Sequence, residues 1–322
     1  MGHFFSSLFS SKPVCTAEEE AEKNKEKNFE MFKYDGMRAQ RTGQNPFAIK
    51  CFEQALSIKD DFETMNYLVN SYTAANRLDD AFAVLTRMID IKPDDVQTLI
   101  AHANLCFMLD KDADAITDCK HVLELDENNS LAWFIMGKAK RTTKDFLGAV
   151  ADLTKAVALK DNFVEAYLLR AELLLEMGQS LEAKPDAEKA IVLAPEEPAS
   201  YLLRGRVCQA LGDIDAAERN YLKTLELDPF NEEASLLSGK ILVDADKLDE
   251  ALHFFDDAIE LNPNFAKAYV ERGRIKNLKG DKEGALADLK KSLELNPESE
   301  EAKKLNGEHS NFDNIYKGGI FY

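Results

Sequence analysis

The residues whose types could do chemistry cluster between positions 102 and 121. His102 and Cys106 are four residues apart, which places them on one face of a helix, and Cys119 and His121 follow in the next apolar segment. Imidazole and thiolate groups bind zinc, so His102, Cys106 and Cys119 could form a three-ligand site. His121 is expected to point away, which leaves this set one ligand short. Because cysteine is also a common small core residue, we interpret the cluster as core and predict no metal.

Other chemical motifs are missing from the sequence. It contains no phosphate loop, no GxGxxG, no HExxH, no GxSxG and no calcium loop. Acidic pairs such as Asp256 and Asp257 are typical of solvated helix faces. We therefore predict a non-enzymatic protein without a cofactor or catalytic residues, and a metal-binding protein is the less favoured alternative.

The composition excludes several classes of partner and location. The chain has 322 residues, of which 58 are acidic and 40 basic, and its net charge of −18 argues against nucleic acid as the partner. No run approaches 18 apolar residues, so we expect no membrane span. Five cysteines, an odd number without CxxC spacing, do not suggest a disulfide framework or a zinc ribbon. This usage favours a reducing compartment, and we predict a cytoplasmic protein.

The elements that must position these residues are copies of a 34-residue repeat. Alanine recurs at this spacing, with a single step of 33 at the start: Ala48, Ala81, Ala115, Ala149, Ala183, Ala217, Ala251 and Ala285. Twelve residues before each alanine lies a small residue in seven of the eight copies. A bulky residue lies sixteen before it in seven copies, and a proline lies twelve after it in five. Large residues opposite small ones, followed by proline, indicate two closely packed helices that then end.

This pattern resembles the tetratricopeptide repeat family, and the resemblance covers Phe29 to about Ser299 in eight copies. It implies an all-α fold, an α-solenoid (right-handed superhelix) of stacked antiparallel helix pairs. We expect an N-terminal segment (1–28) with an aromatic start and a charged capping helix, the eight-repeat solenoid (29–299), and a short capping helix with an aromatic tail (300–322).

Two local features refine this expectation. The turn between the two helices of each copy carries a residue suited to a left-handed conformation: Gly43, Asn76, Asp110, Gly178, Gly212, Asp246 and Gly280. Lys144 occupies this position in the fourth repeat and is a poor fit. Pro185 falls inside the expected second helix of the fifth repeat, so we predict a late helix start or a kink there.

The resemblance further implies that the first helices line a concave groove, with the second, fifth, ninth and twelfth residues of each copy facing it. The fifth position is apolar in consecutive copies, which include Phe134, Leu168, Leu202, Leu236 and Val270. The ninth position begins with Asn70 and Asn104 and continues as Lys138, Glu172, Arg206, Lys240 and Arg274. These residues either fill gaps between first helices or bind a partner. In the second case we predict a protein or peptide segment with apolar and acidic residues.

One known subset of the family grips the C-terminal carboxylate of chaperone tails with a lysine and asparagine clamp. Lys33 matches its first residue, but Met37, Tyr67, Gln97 and Ala101 occupy the remaining positions. The sequence therefore disfavours a chaperone-tail adaptor.

The two ends of the chain are unusually aromatic. Four apolar residues near the start would share one helical face: Phe4, Phe5, Leu8 and Phe9. They either dock on the first repeat or form a weak membrane or partner anchor, which would make the protein a membrane- or complex-tethered assembly factor. The tail after Gly307 is either a docking peptide or an irregular terminus.

Overall fold

The computed structural model describes residues 17–299, which form sixteen α-helices and no β-strand. The aromatic N-terminal residues and the tail lie outside this range. The helices are α1 (Ala17–Arg41), α2 (Asn45–Ile58), α3 (Phe62–Ala74), α4 (Leu78–Ile91), α5 (Val96–Met108), α6 (Asp112–Leu125), α7 (Ser130–Thr142), α8 (Phe146–Leu159), α9 (Val164–Glu176), α10 (Ser180–Leu193), α11 (Pro198–Ala210), α12 (Ile214–Leu227), α13 (Glu232–Asp244), α14 (Leu248–Leu261), α15 (Ala266–Leu278) and α16 (Lys282–Leu295). No helix of this range combines the length and the apolarity that a membrane crossing requires.

The helices form two compact units, the first ending at Leu159 and the second beginning at Lys160. Within each unit every helix packs against the next, so that the odd-numbered helix of a repeat pairs with the even-numbered one. First helices of neighbouring repeats also touch, α1 with α3 and α5 with α7 in the first unit, and α9 with α11 and α13 with α15 in the second. In neither unit do the described second helices make a comparable contact with each other. The first helices therefore line the inner side of each unit, and the predicted all-α solenoid of stacked helix pairs is confirmed.

The 34-residue alanine register marks the tightest part of the core. All eight of its alanines, from Ala48 to Ala285, are completely buried. In four repeats a glycine of the first helix lies against a larger residue of the second helix. A Cβ added to Gly239 would lie 2.2 Å from the ring of Phe255, and one added to Gly205 would lie 2.4 Å from that of Tyr221. Because protein interiors are close-packed, a larger residue at these positions would clash with the facing side chain. This explains why the repeat keeps small residues there.

The turns between paired helices have the predicted conformation. The eight residues at this position, including all seven predicted ones, have a positive φ. Lys144 adopts it as well, with a φ of 62°, although a side chain in the left-handed region costs about 1–2 kcal/mol. Its neighbour Asp145 donates a backbone hydrogen bond to the carbonyl of Lys140, the bond that closes the helix end in the other turns.

Helix α10 corrects one prediction. Of the two alternatives at Pro185, the late start is wrong, because the helix begins at Ser180 and the amide of Ala183 donates to the carbonyl of Gln179 at 3.1 Å. The kink stays a prediction. Pro185 is exposed, whereas Ala183 and Ala187 on the opposite face are fully buried. Packing of this alanine face holds the helix in register, and the carbonyl that loses its donor to proline lies on the solvent side.

Candidate functional site

The inner surface of the second unit carries the predicted apolar residues at different depths. Leu168, Leu202 and Leu236 are partly buried. Leu202 packs on the core around Tyr221, and Leu236 packs on the core around Phe255. Val270 is only 3% exposed, so its side chain belongs to the core and offers no contact surface. The fifth position therefore presents an apolar surface at Leu168, Leu202 and Leu236.

The basic residues of the same unit differ in how they are paired. The guanidinium group of Arg206 lies 3.7 Å from the carboxylate of Glu233, and both side chains are largely accessible. Arg274 lies 3.3 Å from Glu271, whose side chain is only 4% exposed, so this arginine neutralises a buried carboxylate. Lys240 is partly buried at the equivalent position of α13. The positive charges predicted at the ninth position are thus partly neutralised by carboxylates of the same chain.

In the first unit the ninth position holds Asn70, which is exposed, and Asn104 and Lys138, which are partly buried. The Lys138 ammonium group lies 4.0 Å from the centre of the Phe107 ring and 5.7 Å from that of Phe134. Burial lowers the pKa of Lys138. Phe107 is at the twelfth position of its repeat, so three predicted groove positions on α5 and α7 come together here.

Lys33, the one match to the chaperone-tail clamp, is already paired. Its ammonium group contacts Asp61 at 3.1 Å and Glu63 at 2.7 Å, and its side chain is 12% exposed. Burial alone would lower the pKa of Lys33, but the hydrogen bonds to Glu63 and Asp61 outweigh it and raise the pKa to about 12. This pairing leaves Lys33 little capacity to bind a ligand carboxylate.

The histidine and cysteine cluster is assembled differently from the set that the sequence suggested. His102 Nδ1 lies 2.6 Å from Asp118 Oδ2 and 3.6 Å from Cys106 Sγ, and the three ligand atoms lie within 4.8 Å of one another. Sequence reasoning missed Asp118, which lies sixteen residues after His102 on the facing helix. Cys119 is buried outside this group, and His121 contacts Asp94 instead, at 3.0 Å.

The chemistry of this cluster fits the core better than a metal centre. Burial, reinforced by the charge of Asp118, raises the pKa of the Cys106 thiol to about 12, and burial does the same for Cys119. The second nitrogen of His102, Nε2, contacts the hydroxyl of Thr86 at 3.3 Å, and its ring stacks on Phe82. Every polar atom of the imidazole thus has a partner within the fold.

Comparisons with known proteins agree with this architecture. A family model described as tetratricopeptide repeat matches residues 168–232 and 236–300. No curated protein sequence matches the chain. Among solved structures, a tetratricopeptide repeat protein from Parabacteroides merdae ATCC 43184 is 17% identical, with a TM-score of 0.59 over 76% of this chain and 96% of that one.

Two further structures have the same fold. PilW, a type IV pilus biogenesis factor, is 20% identical with a TM-score of 0.57, over 65% of this chain and 97% of its own. The Cut9–Hcn1 hetero-tetramer of the APC/C contains a chain that is 16% identical with a TM-score of 0.56, over 84% of this chain and 54% of its own. The repeat matched in the second unit continues in register through the helix pairs of the first. The protein therefore belongs to the tetratricopeptide repeat family, whose solenoids act as protein–protein interaction scaffolds.

Proposed function

We propose that the protein is a non-enzymatic scaffold or adaptor that binds a segment of a partner protein on the inner surface of its repeats. One observation carries the proposal. Leu202 and Leu236 stay partly exposed on successive first helices of the second unit, and Arg206 and Lys240 follow each of them by one helical turn. A segment that fits this surface has apolar residues spaced for the two leucines and acidic residues beside them. It binds as a helix or as an extended chain.

The two kinds of residue contribute differently to binding. Apolar anchors that become buried supply most of the affinity, while charge complementarity speeds encounter and selects the partner. The contact between Arg206 and Glu233 is long and accessible to water, and such pairs contribute about 0–1 kcal/mol. A ligand carboxylate can therefore replace Glu233 at little cost. Arg274 is less available, because its contact with the buried carboxylate of Glu271 would have to break.

Selection from a random library of 12-residue peptides on the full chain tests this proposal. We expect the selected peptides to combine apolar with acidic residues. Replacing both leucines (Leu202→Ala with Leu236→Ala) should weaken their binding roughly tenfold or more, because each truncation removes a buried contact. The matched control is Leu181→Ala with Leu222→Ala, which truncates two exposed leucines on second helices. Equal binding by both double variants would exclude the inner surface as the binding site.

Tethering and location complete the proposal. The four described cysteines are buried and none forms a disulfide bond, which supports a reducing, cytoplasmic environment. The apolar residues Phe4, Phe5, Leu8 and Phe9, which the sequence predicts on one helical face, support the alternative of a membrane- or complex-tethered assembly factor. Flotation with liposomes of the full chain and of a version starting at Thr16 tests it. Equal flotation of the two versions would remove the membrane role of this segment.

A further inference from the structure

Lys138 lies on the inner surface of the first unit with aromatic rings around its ammonium group. The group lies next to two aromatic rings, 4.0 Å from the centre of Phe107 and 5.7 Å from the centre of Phe134. Phe134 and Lys138 belong to α7, whereas Phe107 belongs to the neighbouring first helix α5. All three side chains are partly buried. Two adjacent first helices of the first unit therefore place one cation beside an aromatic surface that water still reaches.

Lys138 also has no carboxylate partner within residues 17–299. Its counterparts at the ninth position, Arg206 and Arg274, contact Glu233 and Glu271. Burial lowers the pKa of Lys138, and no neighbouring acid offsets that effect. The chain has 58 acidic residues against 40 basic ones, so the missing partner does not reflect a shortage of carboxylates.

The surroundings of Lys138 suit an incoming anion. The faces of the two rings attract the ammonium group, which explains how the chain tolerates its partial burial. A ring accepts hydrogen bonds only weakly, however, and an ammonium group has three donors. A carboxylate placed on the open side would form a charge-assisted hydrogen bond where the dielectric constant is low, without displacing an internal partner.

We infer that Lys138, Phe107 and Phe134 form a carboxylate-binding site that takes an aspartate or glutamate side chain flanked by an apolar residue of the bound segment. This inference rests on the proposed function, because it names the ligand chemistry of the inner surface in the first unit. The ammonium group binds the carboxylate, and the rings contact the flanking apolar side chain and exclude water from the pair. The site then discriminates aspartate from asparagine and glutamate from glutamine, since a neutral amide would leave the partly buried charge uncompensated.

The first experiment needs no peptide. The full chain is labelled with [13C]lysine, and its Cε resonances are followed by NMR as sodium acetate replaces sodium chloride at constant ionic strength. The control is Lys155, whose ammonium group lies 4.2 Å from the centre of the Trp133 ring but which projects from a second helix. The variants Lys138→Met and Lys155→Met assign the two signals. We expect acetate to shift the Lys138 signal more than the Lys155 signal. Equal shifts would overturn the inference even if peptides bind elsewhere on the chain.

The second experiment measures discrimination. Peptides from the library selection are made in pairs that differ only by Asp against Asn or Glu against Gln, each with a C-terminal amide and with a free C terminus. The wild type should prefer the acidic member roughly tenfold, the amidated peptides included. Lys138→Met, which keeps an unbranched side chain without the charge, should abolish this preference, and Lys155→Met should retain it.

Two outcomes would overturn the assignment. If Lys138→Met keeps the preference for the acidic peptide, another cation binds the carboxylate. If the preference requires the free C terminus, the bound group is a terminal carboxylate instead of a side chain. A wild type that selects no peptide at all would refute the proposed function, and the acetate response would still decide independently whether Lys138 binds a carboxylate.

Discussion

The two units build the same buried polar contact with different cations. In the second unit Arg170 donates two hydrogen bonds of 2.6 Å to Asp186, and Arg272 donates to Asp288 at 2.6 and 2.9 Å. In the first unit the pair at the same register is His102 and Asp118, at 2.6 Å. In each case the carboxylate lies sixteen residues after the cation, on the facing helix of the same repeat.

The repeat therefore tolerates a carboxylate in the core where the paired helix supplies a hydrogen-bond donor. Each arginine uses its planar guanidinium group to form two parallel hydrogen bonds with one carboxylate. The hydrogen bond to Asp288 raises the pKa of Arg272 further. The histidine donates only one hydrogen bond to its carboxylate. The stability of the second unit should therefore depend more strongly on its arginine–aspartate pairs than the stability of the first unit depends on His102 and Asp118.

The largest expected effect comes from removing the arginine that pairs with a buried carboxylate. Arg170→Met leaves Asp186, which is 4% exposed, as an uncompensated buried charge, and should lower the free energy of unfolding by about 3–5 kcal/mol. His102→Met should cost less, about 1–3 kcal/mol, because the side chain of Asp118 is 14% exposed and can be hydrated. Urea denaturation of both variants, followed by circular dichroism, measures the difference.

The control for this pair of variants is Arg219→Met, which removes an exposed arginine of the second unit. It should change the free energy of unfolding by less than about 0.5 kcal/mol. Equal losses for Arg170→Met and His102→Met would show that the number of hydrogen bonds and the depth of burial do not determine the cost of removing the cation.

How much of this could be predicted from the sequence depends on the range of the interaction. The helix pairs, the buried alanines and the left-handed turns follow from spacing within one repeat, so they were predictable, and even the poorly suited Lys144 takes the expected conformation. The contact between His102 and Asp118 was not predictable, because it depends on which faces of two helices pack against each other.

The degree of burial of residues at equivalent repeat positions could not be predicted from the sequence either. Val270 is buried while Leu202 and Leu236 at the same register are partly exposed, which depends on how neighbouring helices pack. At Pro185 the general rule that proline disrupts the interior of a helix is outweighed by packing. The helix begins at Ser180 because the alanines on its inner face are buried, and the proline lies on the exposed face.

A smaller difference in the free energy of unfolding is expected between variants in the turns of the two units. The last turn of the first unit uses Lys144, and its counterpart in the second unit is Gly178, both with a positive φ. Lys144→Gly should raise the free energy of unfolding by about 1 kcal/mol, because glycine adopts the left-handed region without steric strain. Gly178→Ala should lower it by a similar amount. Thermal melts of the two variants check this, and an unchanged melt for Lys144→Gly would mean that the lysine side chain makes a compensating contact.

The smallest effect concerns Asp152, which lies at the register of Asp118 and Asp186 but is paired with Lys140, at 2.6 Å. Burial raises the pKa of Asp152, and Lys140 offsets this only in part. A carboxyl group whose pKa is higher in the folded chain binds its proton more tightly there. Its contribution to stability is therefore greatest below the unfolded pKa of 3.8 and falls as the pH rises through the folded pKa. The difference in stability between wild type and Asp152→Asn should decrease over that window.

Asp161 of the second unit should show the opposite pH dependence of stability. A hydrogen bond from Lys189 lowers the pKa of Asp161, so its contribution is present above pH 3.8 and is lost as the pH falls through the folded pKa. Because Asp161 is exposed, its effect is weakened by solvent and salt. Urea denaturation at several pH values between 3 and 7 gives both difference curves, with Asp161→Asn as the reference. A flat curve for Asp152→Asn would mean that Lys140 compensates fully for burial, and a curve that rises with pH, as that for Asp161→Asn should, would mean that Lys140 more than offsets it.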